Sequence, residues 1–225
     1  MSPSMSKREQ LRQKRLERQR RQRLTILFIA VSAVAIILAA IFLPQLFKNT
    51  SKLPNQNGFS IGDPNAPVKI EEFSDFRCSH CRHFSEVMEP DIIKTYIKSG
   101  KVHLTFINFA GLAADSINAA EAAYCAAEQN TFWEMKKILY KYNTYADVYE
   151  PASLIAFANQ AGLDTDAFST CLGSDVHLHD IQDDIIYGQQ LGIRGTPSFV
   201  VNGILVYSDT LIQTIESELV KAGVN

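Results

Sequence analysis

Residues 73–84 read FSDFRCSHCRHF. Two cysteines, Cys78 and Cys81, stand two residues apart, with His80 between them and His83 just beyond. Upstream, Val68–Phe73 reads as a short strand, and Pro67 before it suits a strand start. Downstream, Phe84, Met88, Ile92 and Tyr96 recur at helical spacing, and Gly100 closes that run. Pro90 lies inside it and predicts a kink. The cysteine pair therefore falls where a strand ends and a helix begins.

That position has a chemical use. A helix N-terminus offers unpaired N–H groups and a partial positive charge, both of which favour a thiolate. Cys78, the first and more exposed sulfur on this reading, becomes the nucleophile, and Cys81, a turn deeper, the resolving partner. His80 adds a charge or a donor. Such surroundings bring a cysteine pKa to roughly 3.5–7.5. A stabilised thiolate leaves easily and favours the dithiol, so the disulfide is the more oxidising. Two other readings stand beside this one. A structural clip is weak, because so short a loop constrains the unfolded chain little. A zinc or copper site could use Cys78, Cys81, His80 and His83. Against it, the chain has no second Cys-x-x-Cys, and His103, His177 and His179 lack tight ligand spacing.

Working outward, Val102–Phe109 reads as the next strand. From Leu112 to about Ile186 the signals are helical. Ala113–Glu128 is alanine-rich, and Phe132, Met135, Leu139 and Tyr142 mark one face of the following helix. Pro151 suits a helix first turn and Gly162 an end. Asp164–Cys171 reads as a short helix, and Val176–Leu191 as a longer one. SFVV-NG-ILVY, residues 198–207, is a hairpin signal around Asn202-Gly203 with a type I′ turn. Leu211, Ile212, Ile215 and Leu219 define a last amphipathic helix. The order is β-α-β, a helical block, then β-β-α, with no internal repeat and no glycine-rich phosphate loop.

The 225 residues suffice for one domain plus an appendage, and the appendage comes first. Residues 1–23 carry nine Lys/Arg against Glu9 and Glu17, a net of +7, while the rest carries a net of −9. Leu24–Leu43 follows with 20 uncharged, mostly apolar residues. A helix of that length crosses about 30 Å of hydrocarbon. The preceding positive flank predicts a single-pass anchor with a cytoplasmic N-terminus and an extracytoplasmic remainder. A cleaved signal peptide is the rival, but its apolar region spans only ~7–15 residues. Topology accounts for the basic charge, so no nucleic-acid partner is expected. Residues 44–58 form a linker, and the domain is expected over 59–222. All four cysteines, with Cys125 and Cys171 completing the set, lie beyond the anchor, where disulfides are permitted.

GDPNAPVKIEEFSDFRCSHC, residues 62–81, resembles the DsbA family of thioredoxin-fold proteins, in its anchored or secreted branch. GIRGTPSFVVNG, residues 192–203, is similar to the same family's proline loop and hairpin. The resemblance covers residues 59–222. It departs from the commoner Cys-Pro-His-Cys, with Ser79 in place of proline, which bears on redox poise more than on the chemistry. It implies an α/β, thioredoxin-like fold with a helical domain inserted at about 111–187. It implies a cis Thr196-Pro197 bond facing Cys78, with Thr196 offering backbone groups to an extended peptide. It also implies that Glu72 is a semi-buried acid beneath the disulfide, carrying protons to or from Cys81. The plain alternative for Glu72 is a strand-edge surface charge. For Asp75, also in the matching run, only local turn chemistry is apparent. Cys125 and Cys171 are expected to pair as a structural disulfide in an oxidising compartment. A regulatory bridge and two free thiols are the other possibilities.

The resemblance implies a thiol–disulfide oxidoreductase that donates disulfides to reduced or partly unfolded client proteins. It needs no organic cofactor or metal within the chain and is recharged by a membrane oxidase of the DsbB or vitamin K epoxide reductase-like kind. A reductase or isomerase of the same fold is the alternative. A copper or zinc carrier using Cys78, Cys81 and a histidine is an alternative of another class.

Overall fold

A computed structural model describes residues 53–224, together with the isolated positions Arg21, Leu27 and Ser32. The expected anchor at 24–43, the basic segment at 1–23 and most of the linker at 44–58 otherwise lie outside the described residues. Among the described residues no helix is long and apolar enough to cross a membrane.

The centre of the fold is β2 (Val68–Ser74), which follows β1 (Ser60–Ile61). Val68 and Ile70 are buried on one face of β2, and Glu72, two residues on, continues that face. A helical run follows: α1 (Ser79–His83), a π-helical turn (Phe84–Met88), α2 (Glu89–Ile92) and a second π-helical turn (Ile93–Ile97). The proline's consequence is visible here. Pro90 lacks an N–H and crowds the carbonyl four residues back. The chain widens just before it, and the Glu89 N–H bonds the Phe84 carbonyl instead. The run ends at Gly100, whose φ of 73° suits glycine.

Next come β3 (Val102–Asn108), α3 (Ser116–Glu128), α4 (Phe132–Tyr142), α5 (Pro151–Ala161), α6 (Thr165–Leu172) and α7 (Leu178–Gln190). The chain closes with β4 (Ser198–Val201), β5 (Ile204–Val206) and α8 (Ser208–Lys221). The sheet order is β1-β3-β2-β4-β5. β3 runs parallel to β2, while β4 is antiparallel to it, and β1 and β5 pair antiparallel at the edges. Asn202 and Gly203 have φ of 47° and 87°, both positive as a type I′ hairpin requires. The second hairpin strand stops at Val206, one residue before the expected Tyr207, which turns away as the cap of α8.

One sheet face packs Val68, Ile70, Leu104 and Phe106 against Phe84, Ile92, Leu211 and Ile215. Phe73, Ile193 and Val200 occupy the other face. The helical insertion shares the first core. Ala119, Ala122, Ala123 and Ala126 are fully buried, so α3 can approach its neighbours closely. Phe132 of α4 reaches Phe106 of the sheet at a ring separation of 5.0 Å. The thioredoxin-like α/β architecture with inserted helices follows from these contacts. The two-residue β1 is an addition that the sequence did not reveal.

Candidate active site

The cysteine pair stands at the C-terminal end of β2, where Asp75 organises the turn. Its backbone carbonyl accepts from the Cys78 N–H at 3.0 Å. One carboxylate oxygen accepts from the Arg77 N–H at 2.7 Å and the Ser116 hydroxyl at 2.9 Å. The other accepts from the N–H groups of Gly111 and Leu112, both at 2.8 Å. Asp75 thus clamps the site turn to the start of the helical block, well beyond local turn chemistry. Arg77 makes a second clamp. It pairs with Asp115, donates to the carbonyls of Asn143 and Tyr145 at 2.8 Å, and stacks over Tyr149.

Cys78 caps α1, and its Sγ accepts from the Cys81 N–H at 3.3 Å. In the thiol form Sγ also donates to the Thr196 carbonyl at 3.2 Å. The pair is in the dithiol state. The two sulfurs have opposite environments. A hydrogen bond from the Cys81 side chain, aided by the Cys81 and His80 N–H groups, brings the Cys78 pKa down to about 5 against the cost of burial. Burial, then the hydrogen bond to Cys78, pushes the Cys81 thiol far up. Cys78 is the more exposed of the two, with 5% of its surface accessible against 0% for Cys81, and Thr196 covers one side of its sulfur.

Access comes instead through a groove of about 520 Å³ lined by Cys78, His80, Phe109, Leu112, Ile185 and Thr196. His80 is exposed on its wall, and Leu112 projects at its rim, 64% exposed. The Thr196-Pro197 bond is cis, and Pro197 is buried beside β4. Cys78, Cys81, His80, Thr196 and Pro197 are therefore brought together. Cys78, His80, Cys81 and His83 do not form a group of ligand atoms close enough to share one ion.

Glu72 is not a surface charge. It is 0% exposed and accepts from the Ser74 hydroxyl at 2.7 Å and from Lys136 Nζ at 2.8 Å. Lys136, also 0% exposed, pairs with Glu89 as well and lies over the rings of Phe106 and Trp133. Burial raises the Glu72 pKa, Lys136 lowers it, and Glu89 raises it again, with burial prevailing. Among the described residues the buried Tyr140 hydroxyl has no hydrogen-bond partner within ordinary distance. Burial above all pushes its pKa well up. Glu72 itself makes no hydrogen bond to either cysteine. Sequence reasoning missed Lys136, Glu89 and Tyr140. The signal was available for one of them: Lys136 sits at four-residue spacing between Phe132 and Tyr140, on the buried stripe of α4.

Cys125 and Cys171 are joined by a disulfide between α3 and α6, with a Cα separation of 5.8 Å. This bridge pins the helical block rather than the groove.

A family model described as thioredoxin matches residues 54–219. A Bacillus anthracis protein described as a probable disulfide bond formation protein D is 34% identical over 171 residues, covering 72% of this chain and 78% of that protein. Oxidised BdbD from Bacillus subtilis superposes with a TM-score of 0.65 at 25% identity, covering 72% of this chain and 92% of that one. Wolbachia pipientis alpha-DsbA1 superposes with a TM-score of 0.65 at 25% identity, covering 77% and 96%. With the family model spanning residues 54–219 and a relative 34% identical over most of its own length, the chain belongs to the DsbA-like thiol–disulfide oxidoreductases of the thioredoxin superfamily.

Proposed function

We propose that this oxidoreductase is a membrane-tethered disulfide donor acting on reduced, partly unfolded proteins outside the cytoplasm. The observation that carries the proposal is the asymmetry of the pair, with a Cys78 thiolate stabilised at a groove and a Cys81 thiol held protonated beneath it. A client thiolate attacks Cys78 Sγ of the oxidised pair. The Cys78–Cys81 bond breaks, and its electron pair goes to Cys81, which takes up a proton. A second client thiolate then attacks the client sulfur of the mixed disulfide and expels the Cys78 thiolate. The client leaves with a new disulfide, and the enzyme is left as the dithiol. Stabilising that thiolate draws the exchange towards client oxidation.

The remaining site residues take roles in this scheme. His80 lends its backbone N–H to the Cys78 thiolate and presents its imidazole to the groove. Thr196, preceding Pro197, offers backbone groups to an extended client segment in the manner of an added strand. Glu72, buried on the Lys136 network, supplies the proton that Cys81 gains and loses. In its oxidised form the Cys125–Cys171 bridge has a structural role, holding α3 to α6. Residues 24–43 form the anchor and 1–23 remain cytoplasmic, as the charge asymmetry supports. The tether holds the domain near a membrane oxidase of the DsbB or vitamin K epoxide reductase-like kind, which accepts the electrons.

The test is equilibration of residues 52–225 with glutathione buffers, reading the Cys78–Cys81 state by alkylation and mass. The donor reading requires a potential well above the thioredoxin value of about −270 mV. A potential at or below that value would instead assign a reductase. Stoichiometric copper or zinc on the Cys78 pair without client oxidation would assign a metal carrier.

A further inference from the structure

The Cys125–Cys171 bridge has a neighbour that disulfide chemistry at Cys78 does not use. Cys125 lies on α3, Cys171 near the end of α6, and His177 caps the start of α7. The two Sγ atoms and a ring nitrogen of His177 all lie within 4.8 Å of one another. The His177 side chain is 12% exposed and stacks on Tyr124 at a ring separation of 4.9 Å. Its Nδ1 is 2.8 Å from an Asp180 carboxylate oxygen, and its Nε2 is 3.1 Å from Glu128. Glu128 follows Cys125 by three residues and so shares its face of α3.

We propose that the reduced form of this pair is a zinc site, with Cys125, Cys171 and His177 as its protein ligands. Two thiolates and one imidazole are donors that suit zinc. Asp180 on Nδ1 fixes the tautomer that leaves Nε2 for the metal, as carboxylates behind zinc-bound histidines do. Zinc–sulfur bonds of about 2.3 Å place two thiolates roughly 3.8 Å apart on a tetrahedral ion. Side-chain rotation supplies that from a Cα separation of 5.8 Å. The steps balance as follows. A dithiol reductant gives two electrons and two protons to the Cys125–Cys171 bond and becomes a disulfide. Zinc then displaces the two thiol protons. In reverse, a disulfide oxidant takes two electrons from the thiolates, the bond reforms and zinc is released. The second disulfide is thereby a redox-controlled zinc site, distinct from the catalytic pair.

The test uses the full chain in detergent with Cys78→Ser and Cys81→Ser, so that only the second pair can bind. Zinc is titrated against a chromophoric chelator with the bridge oxidised and after phosphine reduction, and cobalt(II) replaces it for visible spectra. The expected result is one zinc per chain in the reduced form, none in the oxidised form, and a tetrahedral cobalt–thiolate spectrum. His177→Ala and His177→Gln should each weaken binding by at least about tenfold while leaving the oxidised helical signal unchanged. Absence of stoichiometric zinc after reduction, wild-type zinc affinity in both His177 variants, or collapse of the helical signal on reduction in the presence of zinc would each overturn the proposal.

Discussion

Replacing Lys136 by methionine probes the buried network most sharply. Lys136 is the cation between Glu72 and Glu89, and all three side chains are 5% exposed or less. Methionine fills a similar volume against Phe106 and Trp133, so packing changes little and charge changes most. Removing one partner of a buried pair typically costs about 3–5 kcal/mol. The pH dependence gives the sharper signature. Burial already raises the Glu72 pKa, and Lys136 is the main influence opposing it. Without Lys136 the folded-state pKa of Glu72 rises further above its unfolded value. A carboxyl raised in this way stabilises the fold below the unfolded pKa and loses that contribution as pH rises through the folded pKa. The variant should therefore lose more stability at pH 8 than at pH 5, by up to about 1.4 kcal/mol per pH unit for the proton involved. Urea unfolding of residues 52–225, wild type and variant, with the pair held reduced, measures both quantities. A loss below about 1 kcal/mol at both pH values, or one independent of pH, would refute the buried-charge reasoning. Replacing all three residues by apolar ones of similar volume should restore much of the stability.

Asp75→Ala strands the Arg77, Gly111 and Leu112 N–H groups and the Ser116 hydroxyl. It should cost about 2 kcal/mol or more, read by thermal unfolding, and slow client oxidation. Gly188→Ala would bring a Cβ within 2.6 Å of the Phe109 ring. Phe109 lines the groove, so the change should cost about 1–3 kcal/mol and raise the client KM more than it lowers kcat. Replacing both Cys125 and Cys171 by serine opens a loop with a sequence separation of 46 residues. In chelator it should cost up to about 4 kcal/mol by denaturant titration and leave the Cys78–Cys81 potential nearly unchanged.

What could be read from the chain was local or repeated in a short window. Val68–Ser74, the cysteine pair after it and the Asn202-Gly203 hairpin each carry their instructions in adjacent residues. The insertion was legible because Phe132, Met135 and Leu139 keep a helical period over a long stretch. The two-residue β1 carries no period at all. Its place against β3 comes from pairing across 45 positions of sequence, as in the Ser60–Thr105 hydroxyl contact. Lys136 and Glu89 were missed because charge suggests a surface, and only tertiary packing sets them against Glu72. Asp75 showed its turn but not its reach to Gly111 and Leu112. The greater exposure of Cys78 over Cys81 could be read from its place at the helix start, but not the partial cover from Thr196, over a hundred residues away in sequence.

The account rests on one thiol being ionised well below its usual range. The direct measurement is the pH dependence of Cys78 alkylation in the reduced protein, with the modified residue identified by mass mapping. The rate should titrate at about pH 5, and Cys81→Ala should move that midpoint upward by removing its first hydrogen-bond donor. A midpoint near the ordinary cysteine value of about 8.5, unmoved by Cys81→Ala, would contradict the account.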